Sequence, residues 1–238
     1  MKKGDARRGE LLAAAEQLFY TKGYENTSVQ DILTAVNFSK GGFYHHFDSK
    51  LAVLEAICEQ RAQTSCEQAE AIATGAYDSA AEKLNAVFRG NTLLADGQVG
   101  FLTLMLQVAY RDDGALMREK MKQCQLEGMQ GVVERIVSEG VASGEFFVAD
   151  VPATAQMLLR MYLMFTDEIA FLLAREDSED SLMEEAVRKL NAYRTAIERI
   201  LIAPFGSIVL MDARDLYRLA HTVLQERIRM RADAILNK

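Results

Sequence analysis

The fold of the N-terminal end is decided by residues 27–50, which read TSVQDILTAVNFSKGGFYHHFDSK. Ser28 is a good N-cap for a helix that follows it. The apolar residues of that helix recur at the spacing of one helical face: Val29, Ile32, Leu33 and Val36. Asn37 tolerates the left-handed backbone that commonly ends a helix. The pattern predicts a short helix followed by a tight turn.

Two further caps follow that turn. Ser39 can cap a second helix over residues 40–46. Asp48 or Ser49 can cap a third helix that begins at Lys50. Three caps within about twenty residues predict three closely jointed helices, with boundaries good to a few residues.

The middle helix is too weak to form for its own sake. Gly41 and Gly42 together cost about 2 kcal/mol of helix propensity relative to alanine, and a helix of about seven residues does not form alone. Glycine allows a backbone to come close to a ligand. Tyr44, His45 and His46 follow with ring faces and hydrogen-bonding groups. A short helix with this composition fits the major groove of DNA.

The segments KGYENTSVQDI and SKGGFYHHFDSK carry a resemblance to the TetR family of bacterial transcriptional repressors. About thirty residues agree in order, type and spacing, over a fifth to a quarter of the chain. The resemblance implies a DNA-binding helix-turn-helix domain at 1–50 and a connecting helix at about 50–74. It further implies a ligand-binding and dimerisation domain at 51–204, which leaves 205–238 as an extra C-terminal helical segment.

The predicted DNA contacts fall into two groups. Predicted phosphate contacts, by residue type and by their match to the family's backbone-contacting positions, are Thr27, Ser39, Lys40, Tyr44 and Lys50. Predicted base-edge or close-approach residues are Gly41, Gly42 and His45, with Tyr44 shared between the two roles. His46 is a further candidate for DNA binding.

Tyr44 and His46 also have a purely structural interpretation, in which they only pack or cap the helix. His45 and His46 are adjacent and point about 100° apart on a helix, and no further ligand stands nearby. No metal site and no cofactor are therefore predicted.

Composition agrees with an all-α regulator. Half of the 238 residues are hydrophobic, and the chain holds only two prolines and no long alternating strand pattern. The net charge is −7, yet residues 1–50 carry seven Lys or Arg against six Asp or Glu. The excess acid therefore lies in the rest of the chain, which confines contact with DNA to one end.

Location in the cytoplasm, without a membrane partner, is the expectation. No apolar run reaches the ~18 residues of a spanning helix, and no signal peptide opens the chain. The three cysteines, at 58, 66 and 124, show no paired metal spacing and suit a reducing compartment.

Beyond residue 50 the chain reads as a succession of helices separated by turns. Predicted helices span 50–74, 79–95, 98–111, 114–141, 152–175 and 180–202, followed by a tail helix from Asp212 or its neighbours to about Leu236. Asp150 can cap the helix that Pro152 enters near its first turn. The tail helix is expected to pack on the dimer or to cover a pocket.

Two segments, 101–110 and 157–174, are apolar nearly all around and predict a core, a subunit interface or a cavity. Candidate residues for binding a small-molecule effector are Met105, Gln107, Tyr110, Met157, Arg160, Met161, Met164, Phe165 and Asp167. The alternative for the methionines is ordinary core. Arg160 is expected to be buried, and therefore to find either a salt bridge, with Asp167 or across an interface, or an anionic or polar effector that it binds together with Gln107.

A near-heptad stripe in residues 183–201 predicts a homodimer interface. Its members are Met183, Val187, Leu190, Arg194 or its neighbour Tyr193, Ile197 and Leu201. In the resembled family the last two helices of the ligand-binding region pair with their copies, although the stripe also suits an internal core.

These patterns lead to one functional hypothesis. The chain is expected to be a one-component regulator, most simply a repressor, that binds double-stranded palindromic DNA as a homodimer and is released by a small molecule of unknown identity. The alternative is a DNA-bound scaffold whose second domain recognises a protein. No paired nucleophile and base, metal cluster or phosphate-binding glycine loop stands in the sequence, so no enzyme is predicted.

Overall fold

The protein is all-helical throughout the part that the structure describes, as the sequence predicted. A computed structural model describes residues 3–90, 99–110, 115–175 and 179–236, and these ranges contain no strand. The helices are α1 (Lys3–Lys22), α2 (Val29–Ala35), α3 (Lys40–His46), α4 (Lys50–Ala73), α5 (Ala80–Gly90), α6 (Val99–Val108), α7 (Ala115–Ser143), α8 (Val151–Ala174), α9 (Glu179–Leu201) and α10 (Ala213–Leu236).

Local caps set the boundaries of the N-terminal helices. Ser28, Ser39 and Ser49 each accept a hydrogen bond from a backbone N–H in the first turn of α2, α3 and α4. Asn37 has a φ of 49°, in the left-handed region, where the turn between α2 and α3 requires it. The predicted helix-turn-helix is therefore present with its predicted caps.

The core of the N-terminal domain continues into two later helices. Ile32, Phe43 and Leu54 are fully buried in one cluster, so the first turns of α4 belong to this domain's core. Met105 and Ala109, in and just after α6, lie in the same cluster. Since Leu102 of α6 lies in the other main cluster, α6 contacts both cores.

The second core is built from α4, α5, α7, α8 and α9, together with the chain beyond α9. Tyr162 of α8 stacks on Phe88 of α5 with ring centroids 4.6 Å apart and donates a hydrogen bond of 2.8 Å to the Phe88 carbonyl. Glu145, between α7 and α8, accepts hydrogen bonds from the free N–H groups at Ala80 and Ala81 and so caps α5. Asp150 caps α8, with proline in the first turn, as predicted.

The C-terminal segment is part of this second core. The apolar residues that it contributes are almost fully buried: Ile208, Leu210, Met211, Leu216, Leu219, Ala220 and Val223. Two side chains from other helices hold the backbone of the C-terminal segment in place.

Asn85 of α5 donates to the Ser207 carbonyl and accepts from the Val209 N–H, at 2.8 Å each. Glu198 of α9, only 2% exposed, accepts from the N–H of Gly206 at 2.8 Å. The segment beyond residue 204 is therefore no peripheral addition.

The helix bounds in the second region agree with the predicted ones within about two residues where the structure describes them. The predicted helix 79–95 is seen as α5, and the segment 91–98 lies outside the described residues. Residues 109–110 of the predicted helix 98–111 form a turn, closed by hydrogen bonds from Ala109 and Tyr110 to the Met105 carbonyl, and residue 111 lies outside the described residues.

Candidate nucleic-acid interface and central cavity

The outer face of α3 presents polar and aromatic side chains to solvent. Phe43 is fully buried and Phe47, just past the helix end, is nearly so, which turns this side of α3 inward. On the other side Ser39, Lys40 and His45 are exposed, together with Tyr44, whose exposure is 50%. The exposed side of this seven-residue helix therefore carries hydrogen-bond donors and acceptors. Its only bulky apolar group, among the described side chains, is the Tyr44 ring.

The two glycines of α3 differ in whether packing inside the domain requires a residue without a Cβ. A Cβ at Gly42 would lie 2.7 Å from Cε1 of Phe38, so packing inside the domain requires glycine there. A Cβ at Gly41 would have no heavy atom within 4 Å, and Gly41 is exposed. No contact within the described structure therefore requires glycine at 41, and its surface on α3 is open.

His46 differs from its neighbour His45. His46 is half-buried, with its ring centroid 6.2 Å from that of Phe38 and 6.4 Å from that of Phe47. The structural interpretation of His46, packing beside two phenylalanines, therefore fits its position, and His45 remains the histidine that faces solvent.

The expected phosphate contact through the Thr27 hydroxyl needs correction. Thr27 is 1% exposed, and its hydroxyl donates to the carbonyls of Gly23, at 2.8 Å, and Leu18, at 3.4 Å. The side chain ties the C-terminal end of α1 to the start of α2. Sequence alone marked Thr27 by its type and place in the motif, and only the packing of α1 shows that its hydroxyl is already used.

Lys50 has a partner inside the domain. Its ammonium donates a 2.7 Å hydrogen bond to the Tyr24 carbonyl and lies 4.2 Å from the centre of the Tyr24 ring. Lys50 therefore joins the start of α4 to the loop before α2, whereas Lys40 is exposed at the first position of α3. Lys40 is the more exposed of the two lysines, and Lys50 keeps ammonium donors beyond the one that the Tyr24 carbonyl uses.

The start of α2 is stabilised by a reciprocal capping box. The Ser28 hydroxyl accepts from the Asp31 N–H at 3.1 Å, and the Asp31 carboxylate accepts from the Ser28 N–H at 2.8 Å. The Ser28 hydroxyl and then the Lys22 ammonium hold the pKa of the Asp31 carboxyl well below its usual range. Asp31 therefore stays ionised and joins the start of α2 to Lys22 at the end of α1.

A small cavity of about 50 Å³ lies between α6, α7 and α8. It is lined by Met105, Tyr110, Arg118, Met121, Lys122, Gln125, Tyr162, Leu163, Thr166 and Asp167. Three of the predicted effector-binding residues line it, Met105, Tyr110 and Asp167, and their role in binding stays a prediction.

The polar groups of the cavity form a connected set. Tyr110 donates a 2.8 Å hydrogen bond to one carboxylate oxygen of Asp167, and the Lys122 ammonium lies 3.5 Å from the other. Burial and the neighbouring Asp167 charge raise the pKa of the Tyr110 hydroxyl, which therefore remains a donor. The Arg118 guanidinium lies 5.2 Å from the centre of the Tyr110 ring and 4.7 Å from that of Phe171. Arg118 also donates to the carbonyl of Ala109, at the end of α6.

Several predicted effector-binding residues lie elsewhere. Arg160, Met157 and Met164 are exposed on the outer face of α8. Within this chain Arg160 is exposed rather than buried, because the face of α8 that carries it is not covered by another described part of the chain, and its pairing across an interface stays a prediction. Met161 is half-buried against the main core and Phe165 is fully buried there. The side chain of Gln107 lies outside the described structure.

The predicted dimer stripe on α9 also needs correction. Leu190, Ile197 and Leu201 are buried in the core of the same chain, so these three residues form no outer surface. Met183 is half-buried against that core, and the Arg194 guanidinium lies 5.1 Å from the centre of the Phe205 ring. Val187 is the only member of the predicted stripe that is exposed.

Sequence reasoning missed the α7 wall of the cavity. Arg118, Lys122 and Gln125 stand at spacings of four and three, which places them on one helical face. That spacing was readable in the sequence, but many exposed helices carry the same pattern on a solvated face. Only the packing of α7 against α8 shows that this face borders a cavity.

No group of three or more His, Cys, Asp or Glu side chains that could hold a metal ion occurs among the described residues. Burial, with smaller contributions from neighbouring carboxylates, raises the pKa of the Cys58 thiol to about 12. Within the described part of the chain, no helix is long and apolar enough to cross a membrane.

Comparison with known proteins identifies the N-terminal domain. Residues 11–57 match the family model described as bacterial regulatory proteins, tetR family. An uncharacterized HTH-type transcriptional regulator in the lacX 3′ region of Lactococcus lactis subsp. lactis is 46% identical over 50 residues, which cover 21% of this chain and 26% of that protein. The HTH-type transcriptional repressor KstR2 of Rhodococcus jostii is 45% identical over 51 residues, 21% of this chain and 25% of its own. The match thus spans about a quarter of the length of these relatives.

Solved structures resemble the chain over most of its length. A TetR-family transcriptional regulator from Pectobacterium atrosepticum has a TM-score of 0.62 at 23% identity and covers 85% of this chain and 97% of its own. RolR in complex with resorcinol has a TM-score of 0.55 at 17% identity and covers 92% of this chain and 95% of its own. At these identities the likeness establishes the fold, an N-terminal helix-turn-helix followed by a helical domain.

Proposed function

We propose that this chain, which belongs to the TetR family of bacterial regulatory proteins, is a one-component transcriptional repressor that binds a two-fold DNA site as a homodimer. The outer face of α3 carries this proposal. It exposes Lys40, Tyr44 and His45 around Gly41, where an added Cβ would have no heavy atom of the described residues within 4 Å.

Each residue of this face has a distinct proposed role. Lys40 and Ser39 contact phosphates, because their exposed polar groups lie at the start of α3. Gly41 allows the backbone of α3 to approach the DNA, and His45 reaches base edges. Tyr44 bonds through its hydroxyl to phosphate or base, since half of the side chain is exposed.

A second copy of the chain is the proposed partner of α8. Met157 and Met164 stand seven residues apart on its exposed face, with Arg160 between them. Two apolar side chains on one uncovered helical face suit a helix-to-helix interface. A two-fold dimer would place its two α3 helices in successive major grooves, about 34–36 Å apart.

The cavity between α6, α7 and α8 is the proposed effector site. It lies beside α6, and α6 contacts the core of the DNA-binding domain through Met105. An effector that favours the dimer geometry with poor groove spacing would lower DNA affinity by about 5- to 150-fold, for a coupling free energy of about 1–3 kcal/mol. The core here is not closed, unlike that expected of the alternative, a protein-binding scaffold, but its cavity of about 50 Å³ is smaller than the about 300–1,000 Å³ of an ordinary ligand pocket, so an effector would have to widen it.

A binding selection from random DNA duplexes tests the proposed activity. The full-length protein is expected to enrich an inverted repeat whose half-sites are centred about one helical turn or a multiple of it apart. Selection that returns no inverted repeat, with protein whose circular dichroism spectrum is that of a folded helical chain, would exclude the proposal.

Matched lysine variants test the assigned contacts on the selected site. Lys40→Ala is expected to weaken binding to all sequences and to reduce the slope of log K against log salt by about one unit, as loss of one phosphate contact does. Lys50→Ala should lower thermal stability as well, because the Lys50 ammonium donates a hydrogen bond to the Tyr24 carbonyl in the loop before α2. If Lys40→Ala leaves the salt slope unchanged and alters sequence preference, the phosphate assignment is wrong.

Sedimentation of charged variants tests the dimer surface. Met164→Glu is expected to convert the dimer to monomers, because it places a carboxylate in the covered apolar face. Val141→Glu is the matched control, since Val141 is an exposed apolar residue of α7. Dimers that persist in Met164→Glu and dissociate in Val141→Glu would move the interface away from α8.

A further inference from the structure

We propose that the cavity between α6, α7 and α8 binds a small organic anion with an apolar body, such as a monocarboxylate, and that the Lys122 ammonium receives its charged group. The inference rests on the proposed function, because it assigns a ligand class to the effector cavity of the regulator.

The inner wall of the cavity calls for an apolar body. Met105, Tyr162 and Leu163 are almost fully buried and line its inner side. The Tyr162 hydroxyl is occupied by the Phe88 carbonyl, and the nearby Thr166 hydroxyl donates to the Leu163 carbonyl at 2.9 Å. The inner wall therefore recognises a ligand mainly through its apolar surface.

The charges that line the cavity favour an anion. Two cations, Arg118 and Lys122, stand against one carboxylate, Asp167. Asp167 already accepts the Tyr110 hydroxyl at 2.8 Å and lies near the Lys122 ammonium. A cationic ligand that approached Asp167 would meet two like charges, whereas an anionic ligand would meet two cations and, besides Asp167, only the solvent-exposed carboxylate of Glu119.

Lys122 is the cation with capacity for a new partner. Its ammonium lies 3.5 Å from Asp167 and 3.4 Å from Glu119, both longer than the about 2.7–2.9 Å of a strong charged hydrogen bond. The Glu119 side chain is 70% exposed, so solvent weakens its attraction. An ammonium has three donors, and a ligand carboxylate within the cavity can approach Lys122 more closely than either of these groups.

Arg118 has a different role. Its guanidinium stacks against the rings of Tyr110 and Phe171 and donates to the Ala109 carbonyl just after α6. It is already held on three sides, and it joins the start of α7 to the end of α6. An anion bound at Lys122 thus lies next to the residue that links the cavity to α6.

Isothermal titration of the full-length protein with matched probes tests the ligand class. The probes are benzoate, benzamide and benzylamine, which share a ring, and the straight-chain carboxylates from acetate to octanoate. At least one carboxylate is expected to bind about tenfold or more tightly than either the amide or the amine, as gain of a charged hydrogen bond requires. Tighter binding of benzylamine, or no binding by any carboxylate, overturns the inference.

Three variants test the role of Lys122. Lys122→Met keeps an apolar stem and is expected to weaken carboxylate binding about tenfold or more, with amide binding unchanged. Lys120→Met is the matched control, because Lys120 pairs with Glu55 on α4 at 2.9 Å, and it should bind as the unmodified protein does. Asp167→Asn removes the competing negative charge, keeps an acceptor for Tyr110 and should bind carboxylates more tightly. Unchanged carboxylate binding in Lys122→Met, with melting curves that show a folded protein, removes Lys122 from the site.

The same preparations, assayed on the selected DNA site, separate this inference from the proposed function. Specific DNA binding without binding of any carboxylate refutes the ligand class and leaves the DNA-binding regulator standing. Carboxylate binding in a protein that selects no inverted repeat supports the cavity assignment and refutes the DNA-binding function.

Discussion

Helices α3 and α8 both carry polar side chains among aromatic and apolar ones, yet their outer faces are set by different forces. At α3 two phenylalanines, Phe43 within the helix and Phe47 just past its end, fix the inward side, and Lys40, Tyr44 and His45 face outward by helical geometry. Helix α8 is apolar nearly all around and packs against both α7 and α9. Its neighbours decide which side is covered, and Arg160 lies on the side that the described chain leaves open.

The comparison teaches where residue type is a guide to role. In a short helix with one buried pair, an exposed polar residue is available for binding. In a long apolar helix the same residue type can face a core, a cavity or solvent, because the hydrophobic effect has no direction. Four measurements test this contrast, in order of decreasing expected effect.

Deletion of residues 205–238 is expected to have the largest effect on the stability of the C-terminal half. The tail buries Ile208, Leu210 and Leu216 completely, and each large apolar side chain contributes about 1.5–3 kcal/mol on burial. Several such losses equal the about 5–15 kcal/mol of a typical domain, so the truncated chain should aggregate or melt without a cooperative transition. Calorimetric scanning of the two chains is the measurement. A truncated chain that melts cooperatively near the full-length temperature would show the tail to be peripheral.

Asn85→Ala tests a long-range contact that no local pattern reveals. The change removes two hydrogen bonds and leaves the Ser207 carbonyl and the Val209 N–H without their partner. The free energy of unfolding should fall by about 2–4 kcal/mol, since unsatisfied buried polar groups cost about 1–3 kcal/mol each. Asn191→Ala, on the exposed side of α9, is the control and should change little. Urea denaturation measures both, and equal effects would contradict a specific clamp on the tail.

The adjacent glycines of α3 offer a matched pair on the N-terminal side. Gly42→Ala should destabilise the protein by about 1–3 kcal/mol, because the new methyl group would overlap the Phe38 ring. Gly41→Ala should raise stability by up to about 1 kcal/mol through helix propensity, yet weaken binding to the selected DNA site. Thermal melting and a DNA titration separate the two effects. If Gly41→Ala leaves DNA binding intact, the proposal that the backbone at Gly41 approaches the DNA closely is wrong.

Arg160→Met is expected to have the smallest effect on protomer stability. An exposed arginine contributes within about 0.5 kcal/mol, whereas breaking a buried ion pair costs about 3–5 kcal/mol. Denaturation at a protein concentration where the chain is monomeric measures the protomer alone. A loss of several kcal/mol would restore the original expectation that Arg160 is buried with a partner.

Much of the candidate interface was predictable from the sequence because its signals are local. Ser28, Ser39 and Ser49 cap helices through contacts three residues away, and Asn37 turns the chain by its own backbone preference. Thr27 is the exception in this region. Its hydroxyl donates to the carbonyls of Leu18 and Gly23, and no pattern in the neighbouring sequence predicts that contact.

By itself the sequence determined an all-helical chain with a helix-turn-helix at its N-terminal end, because caps, turns and helical periodicity act over a few residues. Only the tertiary structure decided the sides of α8 and α9, the burial of Thr27, the inclusion of the tail in the core and the α7 wall of the cavity. These features depend on contacts between residues far apart in the chain, such as Asn85 with Ser207 and Lys122 with Asp167. Burial depends on how the helices pack together. When a helix is apolar on several sides, its own sequence does not determine which side is buried.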